Sequence, residues 1–412
     1  MTHGRFFVAG GLSLALLAGA CHEDELFSPL PPQYAGGAMF QRYVAMGNSI
    51  TAGFQSGGFN DSTQKQSYAL LLATAMGSQY YYPSFTMPGC PPPIDTLFTA
   101  SGVPHTLGAP LAPPCALRSP TIPPYLTNVA VPGATTFDPV STLPTVSSNA
   151  LTLFILGGRS QVEAAADAHP TFLSVWIGNN DVLGAATDQT NAGDPTKVTP
   201  VALFTANYDA MLADLDTIST LQGAILVGVA DVAAIPYLSY GHIYFGAFLG
   251  GAFPPTMTVS SNCAPQSSGG IGDTVLVPFQ YGFGLIAQAR GGATVTLDCT
   301  DDHNIEPTEL ANLHSTVAAY NAAIAARATA RDWAFLNPNV ALAALRADPA
   351  QVAPFPNTAA TSCWGANAAG KPFGLAFSCD GVHPSAATHR LIAQILRDSI
   401  NVHYGSKIPA VP

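Results

Sequence analysis

The stretch Tyr43–Gly53, YVAMGNSITAG, decides how the rest of the chain is read. Its apolar run, Tyr43-Val44-Ala45-Met46, predicts a short buried strand. The run stops at Gly47, and Ser49 follows two residues later. Gly53 and the polar residues beyond it predict loop or the ragged start of a helix. A serine just past a buried strand stands where α/β folds place reactive groups, at the carboxyl edge of the sheet. Serine alone is a poor nucleophile and needs a base and an oriented partner. Gly-Asn-Ser is also ordinary turn chemistry. Taken alone the stretch favours a turn, so its meaning depends on what distant parts of the chain supply.

The 412 residues suffice for one large α/β domain with insertions or for two smaller domains. Hydrophobic residues make up 48%, so a substantial core is expected rather than disorder. Charged residues are only 9%, against ~25% in an average soluble domain, and 38 Gly with 35 Pro predict long ordered loops. The net charge of −11, with no basic cluster, argues against nucleic acid as a partner.

The N-terminus reads as a targeting segment over residues 1–20. Arg5 precedes the apolar stretch Phe6–Ala20, which is too short for a comfortable membrane span. It ends in Leu17-Ala18-Gly19-Ala20-Cys21, which resembles the lipobox of bacterial lipoproteins and implies a lipidated Cys21; simple cleavage near Ala20 is the alternative. Residues 21–38 are Pro-rich and read as a tether from the membrane. Residues 39–412 then form the folded domain, with insertions at about 80–125 and 237–306.

Setting Cys21 aside leaves six cysteines, an even number that implies disulfides in an exported chain. Six allow 15 connectivities. Sequence-local bridges Cys90–Cys115, Cys263–Cys299 and Cys363–Cys379 are expected, because each closes a Pro/Gly-rich loop. Zinc is the competing reading, but no CxxC or CxxH pair occurs, and no metal is expected.

Five strand-like runs alternate with helical segments: Phe40–Met46, Leu126–Val131, Phe172–Ile177, Ala224–Val229 and Trp333–Leu336. The intervening helices are expected at Ser67–Met76, Ser160–Ala168, Pro200–Ile218 and Pro307–Arg331, and a last one at Pro384–Leu396. In Pro200–Ile218, Leu203, Tyr208, Met211, Leu212 and Leu215 mark one face at helical spacing. Strands alternating with longer helices predict a parallel sheet covered on both faces. Tyr237–Glu306 breaks the alternation and reads as an insertion over one face, a lid or substrate wall.

Three further stretches bear on Ser49. Val175–Asp181, VWIGNND, is again a buried strand ending at glycine before polar residues. Cys379–Pro384, CDGVHP, sets Asp380 and His383 three apart, a spacing that holds a carboxylate on imidazole Nδ1 while Nε2 faces outward. Asn128–Ala134, NVAVPGA, ends a strand at Gly133, which leaves an unobstructed backbone N–H. Each has a plain structural alternative: Asn180, Asp181 or Asp380 as helix caps, and Gly133 as a turn residue. Asp301-Asp302-His303 reads as a polar loop, and His389 as a structural residue of the last helix.

Together the four stretches resemble the GDSL/SGNH hydrolase family: a serine block at Gly47–Ile50, a glycine block at Gly133, a Gly-x-Asn-Asp block at Gly178–Asp181 and an Asp-x-x-His block at Asp380–His383, in family order. The resemblance implies a flavodoxin-like three-layer sandwich with an approximately five-stranded parallel sheet. It also implies an exported serine esterase or lipase needing no cofactor. Ser49 would attack the carbonyl, His383 would carry the proton and Asp380 would hold the imidazole. The Ser49 and Gly133 N–H groups and the Asn180 amide would form the oxyanion hole. Asn48 stands where the family usually has Asp, which alters the charge beside the nucleophile. The GxSxG elbow of the α/β-hydrolases is absent. The expected substrate is a small-molecule, lipid or glycan ester. The expected state is a monomer in the bacterial cell envelope, held to the membrane by its N-terminal lipid. Two rivals are a non-catalytic glycan-binding lipoprotein on the same fold and an amidase using the same triad. Aromatics of Tyr80–Tyr82 and Tyr237–Phe253 are candidates for the lining of an acyl pocket, with core or loop packing the commoner role of such residues.

Overall fold

The computed structural model describes residues 36–99, 103–108, 124–140, 151–360, 362–363 and 371–412. The targeting segment, Cys21, nearly all of the tether and Cys115 lie outside the described residues. At the centre is a sheet of four parallel strands in chain order: β1 (Tyr43–Gly47), β2 (Phe172–Trp176), β3 (Gly223–Val227) and β4 (Ala334–Leu336). Every residue of β1, β2 and β3 is buried, which is why they read as unbroken apolar runs rather than alternating ones.

The sheet is smaller than the five strands expected. Residues 126–131 do run parallel beside β1, with Val129 N–H on the Ala45 carbonyl and Val131 N–H on the Gly47 carbonyl, each within 3.1 Å. Only Asn128 makes a ladder bridge, opposite Ala45, so the segment is an edge extension rather than a full strand. The first strand also begins later than expected, because Ala38–Phe40 forms a helical turn.

Alternate residues of the strands build two separate cores, as the two-residue repeat of a pleated strand requires. Tyr43, Ala45, Phe172, Ile225 and Val227 pack against α1 (Tyr68–Met76) and the long C-terminal helix. Val44, Met46, Leu173, Val175 and Leu226 pack against the opposite helical layer. That layer holds α2 (Gln161–Asp167), α3 (Val201–Leu215) and α4 (Pro307–Ala330). On α3 the buried face carries Phe204, Tyr208, Met211, Leu212 and Leu215, while Leu203 is 53% exposed and does not belong to it. Phe204 takes the place assigned to Leu203 and stacks on Tyr320 with ring centroids 3.7 Å apart.

The insertion at 237–306 has its own core around Tyr244, Val275, Val277, Ile286 and Leu297. Two small strand pairs frame it, Leu238–Tyr240 with Leu276–Pro278 and Met257–Val259 with Val295–Leu297. The Cys263–Cys299 disulfide staples it. A second disulfide joins Cys363 to Cys379. The Cys90–Cys115 pairing lies outside the described residues. No helix among the described residues is long and apolar enough to cross a membrane.

Candidate active site

The register of the sheet sets the site. Gly47, the last residue of β1, lies opposite Trp176, the last residue of β2. The two chains therefore leave neighbouring strands side by side at the carboxyl edge, one leading to Ser49 and the other to Asn180. The edge segment enters beside Gly47 from the other flank and leads to Gly133. Glycine is needed at position 47 because a Cβ there would meet Thr51 Oγ1 at 2.4 Å and the Trp176 carbonyl oxygen at 2.5 Å.

Ser49 opens a one-turn helix, Ser49–Ala52. Asn48 caps that turn: its Oδ1 accepts the Ile50 N–H at 3.1 Å. The Ser49 N–H belongs to the first helical turn and has no acceptor within the helix. Ser49 itself is nearly buried, at 8% exposure.

The base arrives from 334 residues away. His383 Nε2 lies 2.9 Å from Ser49 Oγ, and His383 Nδ1 lies 2.8 Å from Asp380 Oδ2. The closing turn is tight, with the Gly381 N–H on the Ser378 carbonyl and the Ser378 N–H on the His383 carbonyl. Gly381 sits at φ +68, and a Cβ there would press on the Phe373 ring at about 3.0 Å. Asp380 does not cap the last helix; Ser385 does, with its hydroxyl accepting the Thr388 N–H. The Asp380 carboxylate is instead saturated by donors. Oδ1 accepts from the His383 and Val382 N–H groups and the Ser378 hydroxyl, and Oδ2 accepts from the Gly57 N–H at 2.7 Å. Burial alone would raise this carboxyl; the adjacent imidazole and the backbone donors outweigh burial and hold it down at about 2.

The loop after the nucleophile is tied to the closing turn from both sides. Ser56 N–H donates to Ser378 Oγ at 2.8 Å, and Cys379 N–H donates to Ser56 Oγ at 3.1 Å. The Phe54 ring packs 4.7 Å from the imidazole. The Cys363–Cys379 bridge anchors the turn one residue before Asp380.

Asn180 begins a short helix, Asn180–Ala186, whose N-cap is Asn179 without a side-chain cap bond. Its Nδ2 donates to the Ala134 carbonyl at 2.8 Å. An amide nitrogen carries two protons, so one remains for another acceptor. Asp181 stitches the same two loops together, accepting the Thr136 N–H at 2.8 Å and the Thr136 hydroxyl at 2.7 Å. Burial pushes the Asp181 carboxyl up to about 6 despite those donors. Gly133, at φ +81, precedes this stitched segment and is exposed. It is not part of the crevice described next.

That crevice begins at Ser49, His383 and Asn180 and is otherwise almost wholly apolar. It offers about 110 Å³ to the centre of a water molecule. Its walls come from Trp176, Val232, Leu336 and two helices, α5 (Asn339–Arg346) and α6 (Ala386–Tyr404). Asn48 Nδ2 and Asn179 Oδ1, both buried, line its polar end and have no hydrogen-bond partner. On the other side of Leu183 and Val382 lies a wider cleft of about 690 Å³ on the same measure, walled by Tyr237, Phe279, Phe283 and Phe98. The aromatics of Tyr80–Tyr82 line neither cavity, and of Tyr237–Phe253 only Tyr237 does, in the wide cleft. Tyr80 instead accepts from Asn128 Nδ2 at 2.7 Å, a packing role. The crevice helices carried a readable signal: Thr388, Leu391, Ile392 and Ile395 repeat at i, i+3, i+4, i+7 on one face.

His389 is wholly buried; its Nδ1 accepts the Tyr68 N–H at 3.3 Å, and burial drives its ring down to about 3. It is neutral and structural.

A hydroxyl, an imidazole and a carboxylate in line at the edge of a parallel α/β sheet form the geometry that serine hydrolases use. Residues 43–396 match the GDSL-like lipase/acylhydrolase family, and the chain belongs to it, which places it among the ester hydrolases. Similar solved structures are remote. One is a catalytic mutant of an acetylxylan esterase from Geobacillus stearothermophilus, 13% identical, with 89% of this chain and 96% of that one covered and a TM-score of 0.38. Another is an extracellular lipase from Streptomyces rimosus, also 13% identical, covering 87% and 98% with a TM-score of 0.39. A third is a gut microbial diltiazem-metabolizing enzyme, 14% identical, covering 90% of this chain and 48% of that one at a TM-score of 0.37. A search of curated proteins found no match.

Proposed function

We propose that the protein is a serine esterase that cleaves carboxylic esters through an acyl-enzyme on Ser49. The observation carrying this reading is the unbroken relay from Asp380 through His383 to Ser49, with both links under 3 Å. His383 takes the Ser49 proton as the hydroxyl attacks the carbonyl, then returns it to the leaving alcohol. Asp380, fixed by its backbone donors, holds the imidazole with Nε2 toward the serine. The free first-turn N–H of Ser49 and the second Asn180 amide proton meet the developing oxyanion, with Gly133 as the third donor. Water repeats the sequence to release the acid. No metal or cofactor enters this chemistry.

The test is hydrolysis of p-nitrophenyl acetate and butyrate by the wild type and by Ser49→Ala. Turnover lost in the variant, with its thermal unfolding unchanged, supports the reading. A folded wild type that turns over no ester refutes it and favours a binding protein.

We also propose that the mature chain is exported and lipid-anchored at Cys21. The Leu17–Cys21 sequence and the paired cysteines support this. Mass spectrometry of the mature N-terminus should find a diacylglyceryl group on Cys21; an unmodified N-terminus rules it out.

A further inference from the structure

We propose that the ester this site takes carries an apolar acyl chain of medium length, about eight carbons, seated in the crevice between α5 and α6. The inference rests on the esterase reading above and adds to it the identity of the acyl group.

The crevice starts at the nucleophile. Ser49, His383 and Asn180 form one end, and beyond them the walls are Leu342, Leu345, Leu391, Ile392 and Ile395. A site built for acetate needs no such extension. On α6, Thr388, Leu391, Ile392 and Ile395 occupy one face and are only half-buried. Facing them is α5, a helix with no buried residue at all, whose Leu342 and Leu345 turn into the same space. Two apolar helix faces that remain half-open to a shared space are poised to cover an apolar guest. Polar groups are confined to the reacting end, where an ester carbonyl belongs. Among the described residues of the lining there is no Asp, Glu, Lys or Arg, so a free fatty acid or a charged acyl group meets no such counter-charge there.

The length of the wall sets the size of the guest. From Thr388 to Ile395 the helix rises ~10 Å, the extended length of roughly eight carbons. The leaving alcohol then lies toward the wider cleft across Leu183 and Val382.

The test is kcat/KM for p-nitrophenyl acetate, butyrate, octanoate and dodecanoate, below their micelle concentrations. The proposal expects a rise of up to about fourfold per methylene from acetate toward octanoate, then a plateau or fall. Leu342→Trp and Ala341→Phe, which fill the crevice from α5, should each cut the octanoate-to-acetate ratio at least tenfold. The ratio is read within one preparation, so partial loss of folded protein does not alter it. Leu342→Ala, which makes room instead, should move the optimum to a longer chain. An acetate optimum in the wild type, or a ratio unmoved by these substitutions, overturns the acyl assignment while leaving the esterase reading intact. Absence of turnover on every ester by the folded wild type overturns both.

Discussion

Two Asp–His pairs in this molecule look alike when only the pair is inspected. Asp380 and His383 close the site, and Asp301 and His303 lie in the insertion, with Nδ1 against a carboxylate oxygen no farther away than in the first pair. Their surroundings differ. The His383 and Asp380 side chains are 14% and 13% exposed, against 42% and 36% for His303 and Asp301. His383 Nε2 meets a serine hydroxyl, whereas the His303 ring stacks flat on Tyr281 with centroids 4.6 Å apart. Both carboxyls are held below their ordinary value against the upward push of burial. The distance within an Asp–His pair therefore says little. What sets the first pair apart is a hydroxyl in line beyond the ring and a closing turn tied to the loop behind that hydroxyl.

The largest expected contrast is between histidines. His383→Ala or Ser49→Ala should lower kcat by about 10⁴-fold or more, as when a member of a catalytic triad is removed. His303→Ala should change ester turnover by less than about twofold, since it touches no reacting group. Loss of activity in His303→Ala would break the comparison. Next, Asp380→Asn keeps the shape but loses the charge that orients the imidazole, and should cost about 10³-fold or more in kcat. Asp301→Asn should leave kcat unchanged. Asn180→Ala removes one oxyanion donor and should cost about 100-fold in kcat, with KM little altered. It also removes the bond to the Ala134 carbonyl, worth about 1 kcal/mol of stability in a denaturant titration.

Stability against pH responds with opposite signs for the two buried acids near the site. Asp380 is lowered from 3.8 to about 2, so its folded carboxylate binds a proton less readily than the unfolded one. Its contribution is present above pH 3.8, and about 2 kcal/mol is lost as pH falls through 3.8 to about 2. Asp181 is raised from 3.8 to about 6, so the folded state holds the proton more tightly. Its contribution is complete below pH 3.8, and about 3 kcal/mol is lost as pH rises through 3.8 to about 6. Urea titrations of Asp181→Asn between pH 4 and 7 should show a flatter profile than the wild type; an unchanged slope would contradict the assignment.

Much of the candidate site's geometry was legible in the chain because it is local. Three strand ends marked by glycine deliver Ser49, Asn180 and Gly133 to one edge, and a three-residue spacing inside one turn presents Asp380 to His383. Strand register does the rest, and buried parallel strands announce themselves as apolar runs. The Leu203 assignment failed because a helical repeat cannot tell adjacent positions apart when both are apolar; the aromatic stack on Tyr320 decided for Phe204. The edge segment at 126–131 was overcounted, since apolar composition does not tell a full ladder from a single bridge. The crevice was missed for a different reason. It is the space left between two helices that do not close on each other, and spacing within either helix reports a face but not its partner. The loop from Phe54 to Gly57, which gives one N–H to Asp380 and one to Ser378, carried no motif, because a backbone N–H does not depend on the side chain.

The hydroxyl and its base are encoded 334 positions apart. A growing polypeptide therefore carries the serine long before translation reaches the imidazole that stands beside it in the folded chain. Under the proposed mechanism ester cleavage waits for the closing turn to be stitched onto the residues behind the nucleophile, and a fragment truncated before residue 383 should turn over no ester.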